Sequence, residues 1–437
     1  MIETSSLIKP INLFKIPIPS FMKLTNRDLN PIYITNLNEM NYLFYKKCFP
    51  ETYDYINSLK NLNFLTISKK GQNKIKQATE ELHKMFVNTT KEVLSNDNLY
   101  KYFNMTKNEW TSAKKAFEKT KDKFLYGRMD IGFSFDLKNI KLFEYNTGLC
   151  GDIFDTTDFQ KDLFDYFFKC NPNKKKFNNL SEIENSSYSG SELIPKLSER
   201  FKYLIKSNNI NPNFPIYFIT DNGKEEFLVL SSIFKSITNA NLYYKICKFG
   251  YGLKYNKKSG DLIDEEYKIP VQFLYKTYSW YKILKELKKP NHKKYFDIFS
   301  LNSPKKFHFI EPMWKTIMGN KALLPFVYKK YPKHPLLLPS SFNPFDEIFE
   351  NEDYLIEKAF TGRGSMKTKK IKKTEIKEKK KGVIYQKIFD GNKKGNDYYI
   401  MGSYIVGPKF AGCYVKQSSR LINEYSCNVM PVRFLEK

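Results

Sequence analysis

Residues 124–146, FLYGRMDIGFSFDLKNIKLFEYN, alternate aromatic and aliphatic residues with polar ones on either side of a turn at 136–139. That period of two, broken by a turn, predicts a hairpin of two strands. A hairpin constrains a fold tightly because it fixes which side chains share a face. Arg128 and Asp130 are two apart on the first strand, and Glu144 and Asn146 are two apart on the second. Pairing about the turn sets all four on one sheet face, where one guanidinium meets three oxygen donors. Asp, Glu and Asn are the hard ligands that Mg2+ takes, usually one or two carboxylates completed by nucleotide phosphates. An ordinary cross-strand salt bridge on a solvated face accounts for the same residues equally well.

The rest of the chain alternates helical and strand patterns. Residues 74–94 place Ile75, Ala78, Leu82, Met85, Phe86 and Val93 at helical spacing, an amphipathic helix. FPIYFITD (214–221) reads as a strand followed by a helix, VQFLYKTYSW (271–280) repeats a strand and turn, and 309–339 combines a helix, MGNKALLPFVYKKY, with Pro-bounded turns. The last hundred residues carry short strands that predict an antiparallel-rich sheet. Residues 1–54, with several prolines and no long helical period, read as a segment packed on the main body, and 171–194 as a surface loop. The Lys-rich run 367–382 falls between two strands and reads as a flexible hairpin insertion.

A second constellation is EKAFTGRGSMK (357–367), in which Lys358 precedes Gly362, Arg363, Gly364 and Ser365. Glycines let backbone N–H groups approach phosphates and the cations neutralise charge, although no Walker A run is present and a plain turn explains the same residues. Lys321 upstream and Gln386 downstream add weight to it. A third comprises the acidic pair Glu225 and Glu226 with Lys276 and Thr277. Adjacent acids could hold an amine, or simply complement a helix dipole. His83, His292, His308 and His334 have no partner spacing, and no G-x-S-x-G run supports a nucleophilic triad.

Composition narrows the function classes. The chain has 437 residues and a formal net charge of +27, yet only six of its 73 basic residues are arginine: Arg27, Arg128, Arg200, Arg363, Arg420 and Arg433. Lysine spread over every segment is a solvated surface, whereas base readout favours clustered Arg, so nucleic acid is not the expected partner. Where Arg persists against such a bias, a bidentate contact to carboxylate or phosphate is the first guess. Six cysteines stand far apart without a C-x-x-C pair, which predicts buried reduced thiols. No stretch approaches the roughly 18 apolar residues of a spanning helix, and the first residues lack the layout of a secretory signal, so a cytoplasmic protein is expected.

Taken in order, YGRMD…KLFEYNTG, FITDNGKEEF, YKTYSW, EPMWKTIMGNKALLPFVYKKYPKHPLLLP, EKAFTGRGSMK, IYQKIF, GSYIVG and FAGCYVKQSSRLI make residues 55–437 resemble the glutathionylspermidine synthase family, of the ATP-grasp type. The 309–339 segment, with its order of Trp, Asn-Lys, Pro and His-Pro, is the most specific part. The resemblance implies an α/β (α+β) ATP-grasp fold with mixed and antiparallel sheets. Within it, 55–300 would form the metal hairpin and a pre-ATP-grasp-like substrate part, and 301–437 the nucleotide-binding part. It further implies a ligase that uses ATP and Mg2+ to join a peptide carboxylate to an amine through an acyl phosphate, most simply glutathione to spermidine.

By the same resemblance Asp130, Glu144 and Asn146 are the magnesium ligands, and Arg128 contacts the carboxylate being activated. Lys321 and Lys358 reach the nucleotide phosphates, Gly362, Arg363, Gly364 and Ser365 form the lid, and Gln386 lies by the adenine. Glu226 and Thr277 match positions that hold the peptide, with Glu225 near the amine. The chain departs from the pattern in three places. Met366 follows Ser365, so the lid is one residue short; Lys416 stands where synthetases of the family carry Arg; and Asn428 and Met430 stand where polyamine-using members are acidic. Some members carry a Cys/His amidase in front, which 54 residues with Cys48 and no histidine before His83 are not expected to hold. The alternatives are a ligase with another peptide and amine, a catalytically weak nucleotide-binding protein, or a basic RNA-binding protein.

Overall fold

The hairpin forms with the register its residues imply. In the structure, a computed structural model that describes residues 8–13, 62–148, 150–161, 180–220, 224–248, 250–362, 367–422 and 427–436, strands Tyr126–Phe133 and Ile140–Asn146 pair antiparallel. Arg128 lies opposite Asn146 and Asp130 opposite Glu144, and the register shifts just beyond, between Asp130 and Ile131. The hairpin is one edge of an antiparallel sheet whose order continues through Asp397–Val406 and Lys409–Ser418 to Asn428–Met430. Helix Lys69–Ser95 covers this sheet with Ile75, Leu82, Phe86 and Val93 on its buried face, and Ser68 caps its start by accepting from the Gly71 N–H at 3.2 Å. The Thr79 and Ser403 hydroxyls meet between helix and sheet at 2.7 Å. Helix Lys107–Thr120 opens with a capping box in which Thr106 and Glu109 satisfy each other's backbone N–H groups.

The second layer is α/β, as the strand and helix order predicts. Its sheet is wholly parallel, in the order His308–Ile310, Phe273–Lys276, Ile216–Thr220 and Tyr244–Lys248. Helices Leu193–Ser207 and Lys224–Asn239 supply Leu197, Phe201, Leu204, Ile233 and Ile237 to a core shared with this sheet. A third sheet, antiparallel, runs Ser340–Ser341, Val383–Lys387, Tyr354–Ala359 and Thr368–Lys372. A fourth joins Ile8–Leu13 to Leu62–Ile67, Val432–Phe434 and Ser187–Tyr188, tying both ends of the chain together.

Four expectations need correction. The Lys-rich run is not a loose insertion, because Thr368–Lys372 forms an edge strand on Tyr354–Ala359. There Lys380 and Lys369 pair with the buried Glu357, at 2.8 and 3.5 Å. The helix expected through MGNKALLPFVYKKY is broken, with Lys315–Met318 separated from Leu323–Lys330 by the Gly319-Asn320-Lys321 turn. The surface loop expected at 171–194 contains helix Leu180–Glu184, strand Ser187–Tyr188 and the start of a helix, while 171–179 lies outside the described residues. Cys150, Cys247 and Cys413 are buried free thiols as expected, but Cys427 is half-buried. Of residues 1–54 only Ile8–Leu13 is described. Among the described residues no helix is long and apolar enough to cross a membrane.

Candidate active site

On the polar face of the hairpin, Arg128 holds Asp130 at two points, Nε to Oδ1 at 2.8 Å and Nη2 to Oδ2 at 3.1 Å. The Asn146 amide donates to both acids, to Asp130 Oδ2 at 3.1 Å and Glu144 Oε1 at 3.2 Å. Lys321 pairs with the other Glu144 oxygen at 2.9 Å. The four residues the sequence placed on one face therefore form one connected network, joined by a lysine from almost 180 positions downstream. Two carboxylates and an amide oxygen suit Mg2+, which keeps several positions for water and phosphate oxygens. A cluster of three or more His, Cys, Asp or Glu side chains placed for a metal does not occur among the described residues.

The register shift has a use. Phe143 falls in the irregular stretch between Glu144, opposite Asp130, and Leu142, opposite Ile131. Its carbonyl accepts from Lys358 Nζ at 2.9 Å. The same ammonium donates to Gln386 Oε1 at 2.7 Å, and the Gln386 amide donates on to Ser340 Oγ at 3.2 Å. Gln386 is thus engaged in aiming Lys358, a position in the network that its spacing alone did not suggest. Burial lowers the Lys358 pKa to about 8, with Glu144 opposing that shift and Lys321 adding to it. Burial also disfavours charge on Glu144, but Lys321 and Lys358 outweigh it and hold its carboxyl at about 2. Asp130 moves the other way, raised by burial and by Glu144 against the pull of Arg128.

The 309–339 segment explains itself as a brace for this hairpin. Glu311 accepts from the Leu125 and Tyr126 backbone N–H groups at 3.0 to 3.2 Å, and Lys315 pairs with Glu311 at 2.9 Å while donating to the Tyr126 carbonyl. Trp314 is fully buried with its indole N–H on Thr120 Oγ1 at 3.0 Å. A Cβ at Gly319 would lie 2.4 Å from Thr147 Oγ1, so only glycine lets the turn approach the loop after the hairpin, where Thr147 donates to the Lys315 carbonyl at 2.6 Å. In the turn ahead of the next helix Asn320 Oδ1 accepts from the Ala322 N–H at 2.9 Å, and the Lys321 N–H is pinned to the Phe360 carbonyl at 3.0 Å. Past the helix, the Leu336 and Pro335 carbonyls accept from Leu142 and Lys141 along the hairpin's free edge.

Sequence reasoning missed Asp152, Tyr414 and Gly402. Asp152 accepts from Arg128 Nη1, from Tyr414 Oη at 2.8 Å and from Lys416 Nζ at 3.0 Å. Burial opposes its ionisation, and Lys416 and Arg128 overcome that and hold its carboxyl well below the usual carboxylate range. Gly402 faces both Asp130 and Tyr414 across the sheet, and a Cβ there would sit 2.1 Å from the Tyr414 ring. The only signal in the sequence was the Asp six residues past Asn146.

Other expected residues fall elsewhere. Thr277 follows Phe273–Lys276 at the end of the parallel sheet, where its N–H and hydroxyl both donate to the Ile219 carbonyl. Beside it Lys276 is buried over the Trp280 ring and donates to the Tyr278 carbonyl at 3.1 Å; burial and then Lys315 lower its pKa to about 7, with Glu311 opposing. Glu225 and Glu226 lie in the first turn of helix Lys224–Asn239, but their side chains are outside the described residues. So are Arg363, Gly364 and Ser365, while Gly362 is exposed three residues beyond strand Tyr354–Ala359. Met430 is a core residue at 2% exposure.

Three comparisons bear on this geometry. The fold is similar to that of a glutathione synthetase-like effector from Globodera pallida, with a TM-score of 0.52 over 85% of this chain and 89% of that one at 10% identity. In sequence the chain is 23% identical over 405 residues to a bifunctional glutathionylspermidine synthetase/amidase of Escherichia coli, covering 86% of this chain and 60% of that one. It thus spans about six-tenths of that relative's length. It is 24% identical over 381 residues to a putative acid–amine ligase of Haemophilus influenzae, covering 83% and 87%. Residues 31–435, nearly the whole chain, match the family described as glutathionylspermidine synthase preATP-grasp, and the chain belongs to that family.

Proposed function

We propose that the protein is an ATP- and Mg2+-dependent ligase that joins a peptide carboxylate, glutathione in the simplest case, to an amine such as spermidine. The observation that carries this is the single network linking Arg128, Asp130, Glu144, Asn146, Lys321 and Lys358. Such a network fits phosphoryl transfer, which is helped mainly by positioning and electrostatics and needs little acid–base machinery. Asp130, Glu144 and Asn146 are the residues that would hold Mg2+, which supplies charge neutralisation to phosphate oxygens. Lys321 and Lys358 face the phosphates, each already anchored on the protein so that its ammonium is preorganised. A carboxylate oxygen attacks the γ-phosphorus, ADP leaves, and the amine then displaces phosphate from the acyl phosphate while losing a proton. Arg128 orients that carboxylate, and the 362–365 lid excludes water from the acyl phosphate.

With Mg-ATP, glutathione and spermidine, purified protein should release ADP and phosphate only when both co-substrates are present. Absence of ADP above background across a panel of thiol peptides and polyamines would overturn the ligase assignment. Mass spectrometry of the products from that panel identifies the acceptor.

A further inference from the structure

The set of donors around Asp152 is a carboxylate-binding site that the chain fills with its own carboxylate. One guanidinium N–H of Arg128, on Tyr126–Phe133, converges on a single oxygen, Oδ2, with an ammonium and a phenol hydroxyl from Lys416 and Tyr414 on Lys409–Ser418, two strands away. This is the combination that recognises carboxylates, with charge from two cations and direction from the hydroxyl. It stands directly beside the metal-donor pair, because the same guanidinium holds Asp130. Of the five N–H donors of Arg128, two go to Asp130, one to the Gly151 carbonyl at 3.2 Å and one to Asp152. An incoming carboxylate has no two-point contact with Arg128 while Asp152 stays in place.

We propose that Asp152 holds the place of the substrate's reacting carboxylate at Arg128 and Lys416, and that substrate binding displaces it. Asp152 thereby sets the affinity for the carboxylate substrate. The inference rests on the ligase function proposed above, in which Arg128 faces that carboxylate. Displacement is built into the local geometry. Asp152 sits on a loop with left-handed backbone, φ 62°, and its side chain is 23% exposed. Gly148, on the same loop, has open space where a Cβ would point. Arg128 keeps its two bonds to Asp130 whether or not Asp152 leaves, so the fork stays aimed. Lys416, a point charge on a flexible stem, can follow the new carboxylate where a planar guanidinium would be held to one geometry.

The test measures glutathione binding by calorimetry to the full chain and to Asp152→Asn and Asp152→Ala. Melting curves verify that each variant is folded, and if the alanine variant is not, the isosteric asparagine variant decides. Both variants should bind glutathione about tenfold more tightly than the parent, the scale of one charge-assisted hydrogen bond removed from competition. Glutathione amidated at its glycine carboxylate should gain nothing. Unchanged binding in Asp152→Asn, weaker binding in Asp152→Ala, or no binding by any of the three proteins overturns the proposal, and the second result would make Asp152 a loop anchor. The ligase assignment fails separately. ADP release by the parent without a gain in the variants leaves the ligase and removes the displaced carboxylate. A gain in the variants without ADP from any substrate pair does the reverse.

Discussion

A carboxylate holds a metal in its ionised form, so a metal competes with a proton for it, and the two acids of the hairpin meet that competition differently. Glu144 is held at about 2 because Lys321 and Lys358 outweigh its burial. Asp130 is pushed up by burial and by Glu144, and the two-point contact with Arg128 is what works against that. The arginine therefore serves the metal site as well as the carboxylate, which is a reason for an Arg to persist in a chain so biased to Lys. Asp130→Asn keeps the shape and removes the charge. It should lower turnover by at least about a hundredfold, the scale of several kcal/mol of lost charge stabilisation. Steady-state ADP release checks this, and a rate equal to the parent's would remove Asp130 from the metal site.

At the scale of elements, what could be read from the sequence was local. The hairpin was legible down to its register because alternation and a turn fix which residues oppose one another, and Arg128, Asp130, Glu144 and Asn146 meet as expected. Tyr414 and Gly402 were not legible, since their relation to Asp130 depends on which distant strands pair, and nothing local encodes that. The Lys-rich run was misread for a different reason. TKKIK has one apolar residue and no alternation, as befits an edge strand whose lysines also discourage edge-to-edge pairing. Its role in the fold is to neutralise Glu357, 7% exposed on the neighbouring strand. Lys369→Ala with Lys380→Ala should accordingly lower stability by roughly 1 kcal/mol, a modest figure because both lysines are about half exposed and screened. Adding Glu357→Gln should recover most of it, as measured by urea melts. An unchanged midpoint in the double variant would mean that neither lysine contributes to holding Glu357 in its buried place.

At the scale of the molecule, the net charge of +27 says little about folding, and the buried groups between helix Lys69–Ser95 and the central sheet say more. His83 lies there at 4% exposure, its Nδ1 2.8 Å from the Tyr145 hydroxyl, in the strand that carries Glu144 and Asn146. Burial, then Lys315 and Arg200, bring its pKa down to about 3 from an ordinary 6.5. The folded state therefore prefers the neutral ring, while the unfolded chain takes up a proton near 6.5. The stabilisation is complete above pH 6.5 and is lost as pH falls towards 3, at up to about 1.4 kcal/mol per pH unit. His83→Phe removes the titration and leaves the Tyr145 hydroxyl unpaired, so the parent should be the more stable of the two at pH 8. At pH 5 that advantage should shrink by about 2 kcal/mol. Urea denaturation of both proteins at the two pH values measures the difference. An advantage that is the same at pH 5 as at pH 8 would mean that His83 takes up its proton equally readily in the folded and the unfolded chain, and that its burial does not make folding acid-sensitive.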